Sequence, residues 1–123
     1  MRGALNPNLP FRYGAAYSSN VAIAAGVTSQ VFSAAANVNG AIVWAAELFS
    51  GSAAAHSMAL LAQIAAPLSV VDGDILLLIA ARAAGVGQDR LNRPVFIAAG
   101  KGLWFFSFSL EDSALRSVLY TLL

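Results

Sequence analysis

The chain offers one imidazole, His56, six carboxylates and no cysteine, and these few groups bound the chemistry open to it. A histidine-based metal centre needs about two or three imidazoles and usually a carboxylate. His56 alone therefore reads as a hydrogen-bonded side chain at a strand edge or an interface. Asp72-Gly73-Asp74 offers two carboxylates to Ca²⁺, whose sites want roughly six to eight oxygens. A turn in which aspartate accepts backbone hydrogen bonds and glycine takes a positive φ accounts for the same residues. Gly85-Val86-Gly87 lacks the third glycine and the strand-to-helix setting of a dinucleotide fingerprint, and reads as a flexible loop running into Gln88-Asp89-Arg90. Without cysteine there is no disulfide framework, thiolate zinc site or thiol nucleophile.

Nucleophilic and acid–base catalysis find little more. A Ser-His-Asp assembly would have to use His56 with Asp72, Asp74, Asp89 or Asp112, and no serine stands in a Gly-x-Ser-x-Gly elbow. Glu47 and Glu111 are the only glutamates, so a paired-carboxylate mechanism would have to use both. Glu47 stands alone in an apolar strand, where burial would raise its pKa, but an arginine partner from its own or a neighbouring subunit explains it equally. The expectation is a protein that is not an enzyme, with no catalytic residue, cofactor or metal.

The charge distribution points elsewhere. Asp, Glu, Lys and Arg make up 11% of the 123 residues, against about a quarter in an ordinary soluble domain. Between Tyr13 and Val71 the only formal charge is Glu47. A surface this poor in charge calls for a cover, and further copies of the same chain provide one without charge complementarity. The net charge is +1, with Arg82, Arg90, Arg93, Lys101 and Arg116 interleaved among acids, which leaves no basic footprint for nucleic acid. The purest apolar run, residues 75–81, is far shorter than the about 20 residues of a spanning helix, so no membrane is expected. Asn and Pro occupy the place where a signal peptide would carry its hydrophobic segment.

Residues 1–20, rich in Asn, Pro, Gly and aromatics, read as an extended arm in which Pro7 and Pro10 disfavour helix. From Val21 the pattern changes to short apolar runs separated by turn residues. Asn39-Gly40 predicts a hairpin between about Val31 and Phe49, and Gly100-Lys101-Gly102 a second one joining 95–99 to 103–108. Period two places Val43, Ala45, Glu47 and Phe49 on one face and Ile42, Trp44, Ala46 and Leu48 on the other. By the same rule Trp104, Phe106 and Phe108 share a face, the candidate centre of the core. Residues 52–66 and 74–84 fit strand or helix, and strand is preferred. The fold expected is an all-β antiparallel sandwich of about eight strands over 21–123, jelly-roll-like, with strands at 21–25, 27–34, 41–49, 56–64, 74–82, 95–99, 103–108 and 116–122.

This order of arm, NVNGAIVW hairpin, VDGD turn, PVFIAAGKGLWFF hairpin and closing RSVLYTLL strand resembles the small β-sandwich virion proteins of tailed bacteriophages that decorate capsids or build tail and fibre parts. The resemblance implies a structural role in a virion assembled in host cytoplasm. It also implies a homo-oligomer, a trimer above all, contacts with other virion proteins, and an arm that reaches neighbouring subunits. The candidate contacts are then Pro7, Pro10, Phe11, Tyr13, Tyr17, Val43, Glu47 and Phe49. The alternative is a carbohydrate-binding module with Trp44, Trp104, Phe105, Phe106 and Tyr120 as an aromatic platform.

Overall fold

The computed structural model describes residues 15–68, 73–81 and 85–123. Nine strands run β1 Ala15–Ile23, β2 Thr28–Phe32, β3 Ala41–Ser52, β4 His56–Gln63, β5 Asp74–Ala81, β6 Gly85–Arg90, β7 Val95–Ile97, β8 Gly102–Ser107 and β9 Glu111–Leu122. They form two antiparallel sheets, one ordered β1-β9-β3-β6 with β7 also on β3, the other β2-β8-β4-β5. Consecutive strands mostly change sheet, which is the winding of a jelly roll. The β4–β5 hairpin settles the two ambiguous segments as strands. Their helix propensity yields because β4 is a central strand whose Met58, Leu60 and Ala62 face one cluster and Ala59 and Leu61 another.

The core lies between the sheets. Val43, Ala46 and Leu48 from β3 and Ala114 and Val118 from β9 meet Met58 and Leu60 from β4, Leu77 and Ile79 from β5, and Leu103 and Phe105 from β8. The alternation in β8 is therefore opposite to the one expected. Leu103 and Phe105 point inward, whereas Phe106, with Ala59 and Leu61, packs on the far side of the four-stranded sheet. Trp104 is buried on that side too, and fills the space a side chain at Gly102 would need. Phe108 is exposed.

Both predicted hairpins are instead crossings between sheets. β2 and β3 lie in different sheets, as do β7 and β8. Gly40 has the positive φ that its turn signal calls for, and Phe96 occupies the position a Cβ would take there. The turn chemistry is present, but a local signal does not say which strand the chain joins next. The two crossings are fastened to each other by Asn37. Its buried amide donates 2.8 Å hydrogen bonds to the carbonyls of Ala98 and Lys101, and its own carbonyl accepts from the Gly100 N–H. Asn37→Ala removes both side-chain bonds and leaves the Ala98 carbonyl with only the 3.3 Å bond from the Lys101 N–H. The expected loss is about 2 kcal/mol of unfolding free energy, measured by urea denaturation.

Two other segments differ from the sequence reading. Gly85–Arg90, expected as a loop, is β6, paired with β3 from Ser52↔Gly85 to Glu47↔Arg90. Its glycines lower strand propensity, yet Gly87 is required because the side chain of Ile79 fills the space where a Cβ would stand. β6 and β7 act as one interrupted strand along β3, since the Leu91 N–H still donates to the Ala46 carbonyl and pairing resumes at Val95↔Val43. At the other end of the chain, residues 15–20, assigned to the arm, lie in β1 and pair with β9 from Ala15↔Tyr120 onward.

Candidate assembly surface

The eight expected contact residues separate. Pro7, Pro10, Phe11 and Tyr13 lie outside the described residues. Tyr17 sits in β1 and turns inward, with its ring centroid 5.6 Å from that of Phe105. Val43 is fully buried in the core, which corrects its assignment to the face of Glu47 and Phe49. The cause is a bulge in β3: the register with β9 shifts between Val43 and Ala45, so Trp44 is an extra residue and the alternation inverts. Val43, Ala46 and Leu48 then point inward, and Trp44, Ala45, Glu47 and Phe49 outward. The Trp44 indole N–H donates to the Thr121 hydroxyl at 2.8 Å.

The outer face of the five-stranded sheet is thereby apolar and open. Trp44 is 46% exposed, Phe49 38%, Val86 64% and Phe96 61%. Between these, Leu115 and Leu119 of β9 stand half-buried, with Ala45 and Ala16 beside Leu119 across the neighbouring strands. Glu47 and Arg90 bring charge to this face, directly opposite each other on β3 and β6, and the Gln88 amide donates to Glu47 at 3.2 Å. A shallow depression of about 300 Å³ opens beside Glu47, Arg90, Ser117 and Leu119. On the outer side of the other sheet Trp104, Phe106 and Leu61 are buried, and the exposed apolar residues are Ile75 and Leu78 of β5.

The titratable groups are placed structurally. His56 Nδ1 lies 2.7 Å from Glu111 Oε1, and both side chains are fully enclosed. Ser109 donates to Glu111 Oε2 at 3.4 Å and accepts from the Ser57 N–H at 2.9 Å. This is the orienting half of a serine–histidine–carboxylate assembly, but among the described residues no hydroxyl is hydrogen-bonded to the buried His56 Nε2. The hydrogen-bonded reading of His56 describes the contact found. Asp74 pairs with Lys101 at 2.6 Å, and Asp72 lies outside the described residues. Among the described residues, no group of three His, Cys, Asp or Glu side chains is placed to hold a metal ion.

Arg116 escaped the sequence reading. It points inward from β9, its guanidinium carbon 5.3 Å from the Phe105 ring centre and 5.7 Å from that of Tyr17, and it donates to Ser19 at 2.9 Å. Burial pulls its pKa below the usual arginine value, with Tyr17 acting in the opposite direction. The two neighbouring ring faces compensate in part for the lost hydration.

No known protein family matches the chain, and no curated protein does. One solved structure, described as Bacillus endospore appendages that form a family of disulfide-linked pili, is similar over 97% of this chain and 98% of its own, at 11% identity and a TM-score of 0.42.

Proposed function

We propose that this chain is a structural building block that self-assembles into a closed homo-oligomer, with the outer face of the five-stranded sheet as the principal contact. The observation that carries this reading is the uncovered apolar area around Trp44, Phe49, Val86, Phe96 and Leu119, on a chain with 11% charged residues. Large exposed apolar patches on small proteins mark interaction sites, and burying one is favourable by about 25 cal/mol per Å² before the costs of association. Closed rotational symmetry limits the size of such an assembly, and a trimer is the expected form. A virion component of a tailed phage is the setting the strand pattern suggests, with the loop that carries Arg93 and the start of β9 at Asp112 left to contact other virion proteins.

Leu119→Lys tests the contact. It places a charge at the middle of the face without touching the core, so the variant keeps its thermal unfolding midpoint while self-association weakens by at least about tenfold, or 1.4 kcal/mol. Light scattering after size-exclusion chromatography reads the change, and an unchanged mass would remove this face from the interface.

The half-exposed Trp44 favours a second reading, a sugar-binding module that uses its indole as a stacking platform. There, a sugar titration would shift Trp44 emission in the wild type and leave Trp44→Ala unresponsive.

A further inference from the structure

We infer that β1 is a strand-addition edge that pairs antiparallel with β1 of a second copy, about a two-fold axis normal to the sheet. This rests on the self-assembly proposed above and names a contact that the apolar face alone does not; since a three-fold ring contains no two-fold axis, the contact joins copies of two different trimers into a six-copy assembly.

The sandwich has two sides, and they differ. On the β5–β6 side the Asp89 carboxylate accepts from the Leu78 N–H at 2.9 Å, so a β5 backbone donor is already taken by a side chain. Asp89 and Arg90 also put charge on β6. On the other side stand β1 and β2, the first strands in the order of their sheets. β2 is five residues long, and its register slips between Gln30 and Phe32. Such a short, kinked edge is a poor template.

β1 is less protected, its one irregularity being a register shift near its end, between Val21 and Ile23. It is nine residues long and holds unbroken register with β9 from Ala15 to Val21. It contains no charge and no proline, and Ala15, Ala16, Ser18, Asn20 and Val21 are all exposed. Its second row of N–H and C=O groups has no partner among the described strands. Natural edge strands are normally blunted by lysine, proline, bulges or a cover, and among the described residues none of these interrupts Ala15–Val21, which marks that stretch as a pairing site.

The occupant is a second β1 because the edge is complementary to itself. A two-fold axis normal to the sheet reverses strand direction, which gives the antiparallel pairing of a hairpin. No like charges meet across the axis, since β1 carries none. Ala16, Ser18 and Asn20, which point to the outer face, offer no pocket by which a foreign strand would be selected. The paired sheets would become one, and the apolar outer face would continue from copy to copy.

The absence of native cysteine makes the test clean. In the Ser18→Cys/Asn20→Cys double variant, a two-fold axis near the middle of β1 brings cysteines from two copies to Cα separations of roughly 4.5–5.5 Å, within disulfide range. Mild oxidation should give about tenfold more disulfide-linked dimer on a denaturing gel than the Val38→Cys control, whose exposed cysteine sits between β2 and β3, outside the apolar face. If light scattering finds an oligomer but the double variant cross-links no better than the control, β1 is not a contact and self-assembly stands without it. If the protein is monomeric throughout, both readings fall.

Discussion

Replacing Glu111 with alanine is expected to lower the unfolding free energy by about 3 kcal/mol, the cost of leaving the buried hydrogen-bond partners of an enclosed side chain unsatisfied. Glu111 is fully buried, and its carboxylate is the partner of His56 Nδ1 and of the Ser109 hydroxyl. The truncation leaves an imidazole with neither nitrogen paired, because Nε2 has no partner to begin with. A domain of this size has about 5–15 kcal/mol to lose, so the variant approaches the threshold of unfolding. Urea denaturation followed by tryptophan emission measures the loss. Replacing both partners with apolar residues, as in His56→Phe/Glu111→Leu, should return most of it, since the expensive state is the unpaired group and not the missing pair. A double variant as unstable as Glu111→Ala would mean that the pair is needed for packing and not for mutual satisfaction.

Phe105→Ala is expected to cost a similar amount, about 3–5 kcal/mol, for a different reason. Phe105 is the largest fully buried side chain, at the centre of β8 between β2 and β4. Its removal opens a cavity beneath Tyr17 and takes away one of the two rings that flank Arg116. A guanidinium already penalised by burial then keeps only the Tyr17 ring and Ser19. Adding Arg116→Met to Phe105→Ala should therefore cost less than it does in the wild-type background, and the double-mutant cycle reads the coupling directly. Additive losses would show that Arg116 does not depend on the ring.

The class of the fold was written in the spacing of apolar residues and turns. Alternation across 41–49, 56–64 and 116–122 specifies half-buried and buried strands well enough to indicate a sandwich. Where the reading failed, the deciding interaction was distant or one residue out of phase. A single bulge residue, Trp44, moved Val43 from the expected interface into the core. β6 was hidden because glycine depresses strand propensity, while the demand for Gly87 comes from Ile79. Asn39-Gly40 announced a turn correctly, but only the Asn37 clamp to Ala98 and Lys101 shows that it joins two sheets.

The functional surface was legible in kind more than in place. Scarcity of charge between Tyr13 and Val71 pointed to a covered surface, and Glu47 and Phe49 do face outward. Leu119, Val86 and Phe96 complete that face only through strand order, which no local pattern contains. The His56–Glu111 pair spans 55 positions. Its one sequence signal is that each residue stands at the first position of its strand.

The measurement that bears most directly on self-assembly is the native molar mass of the purified wild-type protein, by size-exclusion chromatography with light scattering across a tenfold dilution. A mass that stays at a fixed small multiple of the 12.7 kDa chain, three for the trimer alone or six where the β1 contact joins two trimers, is the predicted result. A soluble 12.7 kDa monomer at every concentration would contradict it.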